Sequence, residues 1–424
     1  MVNPFRSQDM QETKKKVAVL TLGCRVNQAE SSVIEGTLRK HGVSIVALHE
    51  RPDICIVNTC TVTGHSDASS RYLIRKVART GARVMVTGCF SQLEQGKVSQ
   101  LQGVCEIIPS GDKESIISRV LGCNVDPEYA LHDRARPYLK VQDGCNFCCT
   151  YCAVPLARGG SRSLGIDEAV RRAAEIELQG YREIVLTGIH LGSYGRDLSP
   201  KRSPASLVKS ILKATSLLRI RLSSIEINEI DDELIELLHD PRLCKHLHLP
   251  LQSGNDLILR RMNRNYTVNS YQRKLLRLAD ISSDMALGTD VIVGFPAEGD
   301  SEFISTYDFL RDLPFAYIHT FPYSARAGTP AADLKPQIPD SLISYRAKAV
   351  KELARAKRAA FASAQTGKIL DAIAEEVDAA GSAVATTSNY LKITLKSSRI
   401  KRGSAVFVRS IAVIGDRLMG VMIT

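Results

Sequence analysis

No stretch of this sequence is long and apolar enough to cross a bilayer or to act as a secretory signal. The first sixteen residues contain no apolar core, and the run 17–22 that follows is too short for either purpose. The expectation is a cytosolic protein, in which thiols stay reduced. Disulfides therefore drop out as a use for the eleven cysteines, leaving metal ligands, reactive groups and ordinary buried thiols. Acid is in short supply as well. Against 56 Lys and Arg stand 45 Asp and Glu, a formal charge of +11. That suits a polyanionic partner, although such an excess is more often a solvated surface. What is present is an apolar share of 44 % spread over 424 residues, enough for two or three folded domains.

The most informative stretch is Gly144-Cys145-Asn146-Phe147-Cys148-Cys149-Thr150-Tyr151-Cys152, which sets Cys145, Cys149 and Cys152 in a Cys-x3-Cys-x2-Cys array. Thiolates from one such loop can take three corners of a cubane iron-sulfur cluster and leave the fourth iron open to a ligand. Three of the four ligands of a structural zinc is the alternative. It lacks a nearby fourth donor, because Cys148 adjoins Cys149 and no His is close in sequence. The cluster is the favoured reading.

Upstream, three apolar β-type runs each end in a cysteine: 17–24 at Cys24, 54–60 at Cys60 and 84–89 at Cys89. Helical patterns lie between them, as in a doubly wound parallel sheet, and the three cysteines fall at the ligand-binding carboxyl edge. They are either three ligands of a second cluster or three unrelated buried thiols. For Cys55, Cys105, Cys123 and Cys244 the buried-thiol reading is the expectation.

After the array, strands are expected at 183–187, 220–226, 246–249, 286–293 and 316–321, alternating with helices in the rhythm of a curved parallel sheet or partial barrel. The turns that follow, Thr187-Gly188, Ser224-Ile225-Glu226, Pro250-Leu251-Gln252-Ser253-Gly254 and the turn from Gly294 to Glu298, could approach a ligand closely or accept from hydroxyl and amino groups. The stretch 187–197 is expected to project as a mobile loop over the active face. Its His190 and Tyr194 either meet a base or only shape the loop. A basic helix at 345–364 is either an RNA-facing arm or a connector. Beyond Gly367, short strands at 369–377, 390–395, 404–408 and 418–423 suggest a small β-barrel with a positive lip at Arg399, Lys401 and Arg402.

The array and its flanks, Ala153-Val-Pro, Arg158-Gly159 and Arg162-Ser163 included, resemble the methylthiotransferase branch of the radical S-adenosylmethionine (SAM) superfamily. Leu22-Gly-Cys-Arg-Val-Asn27, Val57-Asn-Thr-Cys60 and Thr87-Gly-Cys89 are similar to the three motifs of that family's N-terminal domain. His248-Leu-Pro-Leu-Gln252-Ser-Gly254, Met262-Asn-Arg264-Asn-Tyr266 and Thr289-Asp-Val-Ile-Val-Gly294 match further turns, and the tail is similar to the TRAM RNA-binding module. Only about the first dozen residues fall outside the resemblance. Cys148 stands where an aromatic is common, Leu164 where a basic residue is common, and Ala297 where glycine is usual.

The resemblance implies an α/β protein in three blocks. These are an N-terminal doubly wound parallel α/β domain (15–125), a radical SAM partial (β/α) barrel (136–364) and a C-terminal small β-barrel (366–424). It implies two 4Fe-4S clusters, an auxiliary one on Cys24, Cys60 and Cys89 and a SAM-binding one on Cys145, Cys149 and Cys152. Thr187, Gly188, Glu226, Gln252 and Gly294 fall in turns that contact SAM. One SAM yields a deoxyadenosyl radical, a second methylates the auxiliary sulfur, and a methylthio group passes to an unactivated carbon. The loop 187–197 is similar to that of members acting on N6-threonylcarbamoyladenosine in the tRNA anticodon stem-loop. Isopentenyladenosine, a ribosomal-protein aspartate and a non-catalytic RNA-binding role are the alternatives. Partners would include an electron donor such as flavodoxin or ferredoxin, with no membrane and no DNA.

Overall fold

The computed structural model describes residues 14–129, 134–396 and 399–423. The readings made on the first dozen residues lie outside them. The first unit is a parallel sheet of β1 (Lys16–Thr21), β2 (Ser44–Ile45), β3 (Ile54–Thr59), β4 (Arg83–Gly88) and β5 (Val104–Ile107), in the order β2-β1-β3-β4-β5. Side-chain alternation sends Ile54 and Ile56 into one apolar cluster with Ile34, Leu38 and Val120. Cys55 and Val57 go to the other, with Ile74, Val77 and Phe90. Both faces of β3 are thus buried, as a doubly wound sheet requires. Helix α1 (Arg25–Lys40) begins one residue after Cys24, α2 (Gly64–Ala78) follows Cys60, and α3 (Cys89–Leu93) begins on Cys89 itself. All three cysteines sit on one sheet edge.

The second unit has β6 (Tyr138–Lys140), β7 (Gln142–Asp143), β8 (Arg162–Ser163), β9 (Glu183–Thr187), β10 (Arg219–Leu222), β11 (His246–His248), β12 (Ala286–Val293) and β13 (Tyr317–Pro322). Two parallel sheets, β10-β9-β6 and β11-β12-β13, are joined by parallel bridges from Ile220 to Leu243 and from Ser224 to His248. The result is an open arc of six parallel strands. The expected strand 220–226 ends at Leu222, because the chain turns there to bury Ile225 and Ile227 in the core.

A helix, Asp340–Ser363, packs on β13 and leads to a closed barrel of β14 (Ile369–Val377), β15 (Ser382–Thr387), β16 (Lys392–Lys396), β17 (Ala405–Ile414) and β18 (Arg417–Ile423). Its core uses small side chains, Ala372, Ala374, Ala383 and Ala385. That explains why β15, which reads Ser-Ala-Val-Ala-Thr-Thr, escapes a search for apolar runs. Tyr390 lies in a turn with φ +64°, not in the strand expected from 390. The barrel is anchored by Arg221, fully buried on β10, which pairs with Glu183 and donates to the Thr387 and Ser388 carbonyls.

Two further expectations need correction. Cys105 and Cys123 are exposed rather than buried: the first points off the edge strand β5, and the second follows the left-handed Gly122 that ends the helix Ser115–Leu121. Cys55 and Cys244 are buried as expected, and burial pushes their thiols up to about 11 and about 12. The loop after β9 does not project. Residues 190–195 are buried, and Tyr194, with no exposed surface, donates its hydroxyl to the Leu164 carbonyl at 2.8 Å. Tyr194 therefore shapes the loop and meets no base. Leu164 itself packs against the central core.

Candidate active site between two cysteine triads

The loop carrying Cys145, Cys149 and Cys152 runs from β7 to the helix Val154–Arg158 and is pinned at both ends. Gly144 takes φ +68°, and a Cβ there would lie 2.0 Å from the Gly160 carbonyl oxygen, so no other residue fits. The buried Gln142 amide donates to the carbonyls of Asp143 and Gly144 and accepts from the His190 backbone. On the far side, Asn263 donates to the Cys148 carbonyl at 2.9 Å and Thr150 N–H to the Met262 carbonyl at 3.1 Å. Cys148 itself is exposed.

Each thiol of this triad meets a donor or is desolvated. The Phe147 N–H donates to Cys145 Sγ at 3.4 Å, and His190 Nδ1 lies 3.5 Å from it with its Nε2 on Glu229 at 2.6 Å. Burial would lower His190, but Cys145 and Glu229 outweigh it and lift the ring to about 9. Arg264, paired with Glu226, donates to Cys149 Sγ at 3.3 Å. Burial still carries the Cys149 thiol up, and that of Cys152 to about 12. Thiolates here call for a cation that takes the proton's place.

The second triad is assembled by Asn27. Its buried amide donates to the Leu22 and Thr59 carbonyls, both at 2.9 Å, tying the turns that carry Cys24 and Cys60. Ser70 on α2 holds both backbone groups of Cys60. Gly23, at φ +93°, leaves room for sulfur, because a Cβ would stand 2.6 Å from Cys60 Sγ. The thiols are near enough that charge on Cys24 and Cys89 adds to the burial that raises Cys60. Cys89 is raised by burial too, with Arg158 and Lys113 opposing.

Arg158 links the two sets. It follows the first triad's loop in sequence, donates to Cys89 Sγ at 3.3 Å and pairs with Glu30 and Asp143. Between the triads lies a cavity of about 190 Å³ whose wall includes Cys89, Cys152, Tyr151, Gln252, Asp290 and Tyr323. Among the described residues, the one trio of His, Cys, Asp or Glu ligand atoms lying mutually within 4.8 Å is His248, Asp290 and His319. Neither cysteine set is drawn together as a single ion would require, whereas a cubane spaces its thiolates more widely.

The other residues expected at this site are dispersed. Gln252, in a left-handed conformation at φ +68°, lines the cavity. Glu226 reaches the first triad through Arg264. Thr187 and Gly188 lie behind it, where a Cβ on Gly188 would meet Gln142 Oε1 at 2.8 Å. Gly294 packs against Ile343 of the long helix, and Glu298 is buried on Arg346 and the Gly294 N–H. Ala297 keeps φ +62°, the conformation a glycine would adopt there most easily. Tyr323 was not singled out from sequence, and Asp290 and Arg158 entered only as members of the stretches Thr289–Gly294 and Arg158-Gly159, without a role of their own at the site. The available signal was an acid inside the otherwise apolar run 286–293.

Two family profiles cover most of these elements: the Radical SAM superfamily matches residues 139–310, and an uncharacterized protein family, UPF0004, matches 16–109. The threonylcarbamoyladenosine tRNA methylthiotransferase MtaB of Bacillus subtilis is 34 % identical over 419 residues, 93 % of each chain. Its namesake from Aquifex aeolicus is 34 % identical over 89 % of this chain and 96 % of its own. The chain belongs to the radical SAM methylthiotransferase family. A radical SAM methyltransferase, TsrM from Kitasatospora setae, shares the fold with a TM-score of 0.57 at 13 % identity, over 76 % of this chain and 77 % of its own. A radical SAM methylthiotransferase uses SAM and two 4Fe-4S clusters, and the donor chemistry of the two triads fits that pair.

Proposed function

We propose that this methylthiotransferase places a methylthio group on C2 of N6-threonylcarbamoyladenosine, 3′ of the anticodon in tRNA. The observation that carries the reading is the shared cavity, on which Cys89 of one triad and Cys152 of the other both open. Cys145, Cys149 and Cys152 would hold the SAM-binding cluster, and Cys24, Cys60 and Cys89 the auxiliary one. When bound, these cofactors supply what no side chain can, a carbon radical able to open an unactivated C–H bond and a sulfur to insert.

The chain's own contribution is placement and exclusion of water. Tyr151, Ile292 and Phe321 wall the cavity with apolar surface. The Tyr323 hydroxyl is buried there without a partner, free to meet a base edge. Arg158 and Arg264 each set positive charge against a thiolate. The RNA would approach along α2, which is capped at the cavity rim by Thr63 and carries Arg71, Arg75 and Lys76 around Tyr72, itself 67 % exposed. A single-stranded loop can splay its bases against such a surface.

In this reading the three blocks 15–125, 136–364 and 366–424 act as auxiliary-cluster, radical and RNA-binding domains in the cytoplasm. A small flavodoxin- or ferredoxin-type protein supplies electrons. Among the described residues, no helix is long and apolar enough to cross a membrane. The test is mass spectrometry of tRNA nucleosides from a deletion strain. The 2-methylthio form of threonylcarbamoyladenosine should disappear while its precursor accumulates; unchanged levels would overturn the reading.

A further inference from the structure

Arg158 closes the helix Val154–Arg158, and its backbone belongs with the first triad: the carbonyl of Gly159, the next residue, accepts from the Cys145 N–H at 3.0 Å. Its guanidinium belongs with the second. The side chain is 1 % exposed, and every N–H of its fork has an acceptor. Nη1 donates to Glu30 at 3.0 Å and to Asp143 at 2.8 Å, Nη2 to Asn27 and Glu30, and Nε to Cys89 Sγ at 3.3 Å. The bidentate grip of Glu30 on the two terminal nitrogens fixes the guanidinium plane and aims Nε–H at the sulfur.

The other donors around this triad differ in kind. Cys60 is met by the Val62 N–H and the Ser66 hydroxyl, both neutral. Lys113, the second cation near Cys89, gives its ammonium to oxygens of Asn27, Glu30 and Asn58. The charged donor aimed at a sulfur of the second triad therefore comes from the unit that carries the first.

A hydrogen bond to a ligand sulfur is one of the levers that set an iron-sulfur potential, because it stabilises the reduced, more negative state more than the oxidised one. We propose that Arg158 is a positioning residue that holds up the reduction potential of the auxiliary cluster through Cys89. This rests on the reading that Cys24, Cys60 and Cys89 hold that cluster, and adds what the neighbouring unit does to it. Glu30 and Asp143 offset the net charge of the guanidinium, so the effect runs through the aimed N–H rather than through charge at a distance.

The test uses the full chain with Cys145, Cys149 and Cys152 replaced by Ala, reconstituted anaerobically, so that the auxiliary cluster gives the signal. With arginine isotopically labelled at Nε, pulsed electron paramagnetic resonance of the reduced cluster should show a nitrogen coupling that vanishes in Arg158→Lys. Lysine keeps the positive charge that Glu30 and Asp143 require, but its compact ammonium goes to their oxygens and leaves the sulfur. Iron content and melting temperature should stay near those of the parent. At a fixed potential the ratio of reduced to oxidised cluster should fall about tenfold, a shift of about 59 mV for one electron. A merely structural role would move the melt or the iron and leave the potential where it was. Absence of the arginine coupling in the parent, or an unchanged potential in Arg158→Lys, overturns the inference. If the Lys variant loses its iron, the coupling in the labelled parent decides alone. If the parent holds no cluster, the auxiliary-cluster reading itself fails.

Discussion

At the scale of single residues, the site depends on positions where a side chain is too many atoms. Gly144 and Gly23 both hold left-handed backbone, one against the Gly160 carbonyl and the other against the Cys60 sulfur. Gly144→Ala must move the loop that carries the Cys-x3-Cys-x2-Cys array, at a cost of about 1–3 kcal/mol in backbone strain. The expected outcome is loss of roughly half the bound iron with a lowered melting temperature. Full iron with a wild-type melt would contradict it. The six cysteines were legible because each triad has a spacing or a repeated context. Asp290 and His319 were not, because an acid in one strand and a histidine in the next become a pair only when β12 and β13 align in register.

Between elements, charge joins what apolar packing alone would leave loose. Glu30 of α1 is buried with Lys113, Arg158 and Lys140 around it. Burial would raise its carboxyl, but the three cations outweigh this and hold it well below its ordinary value of 4.5. Burial also pulls the Lys113 ammonium down although Glu30 opposes it. A depressed carboxyl contributes stability that is complete above its unfolded pKa and is lost as pH falls through the folded one. Stability should therefore fall below about pH 4.5. Glu30→Gln should cost about 3–5 kcal/mol at neutral pH by leaving buried cations unanswered, and should flatten that acid limb. Urea unfolding across pH is the check; an unchanged acid limb would remove Glu30 from this role. Strands β3, β4, β9 and β12 were readable as continuous apolar runs. The network was not, since its members come from α1, the segment before the helix Ser115–Leu121, β6 and the array's own helix, far apart in sequence.

For the whole molecule, binding of a polyanion should follow the basic face of α2. Replacing Arg75 and Lys76 together by Ala should weaken stem-loop binding whatever its modification and lower the slope of log K against log salt by roughly 1.4 to 1.8. An unchanged slope would place the RNA elsewhere. The small C-terminal barrel could be read from the switch between continuous apolar strands and short glycine-bounded ones; the contacts that seat it on the central sheet, such as Arg221 beneath it, could not. What unites the first two blocks is a cavity on which Cys89 of one triad and Cys152 of the other both open. Iron and acid-labile sulfide per chain, in anaerobic protein with Cys24, Cys60 and Cys89 all replaced by Ala, decide whether both sets bind clusters. The expected values are about eight of each in wild type and about four in the variant; about eight in both would show that these cysteines hold no cluster.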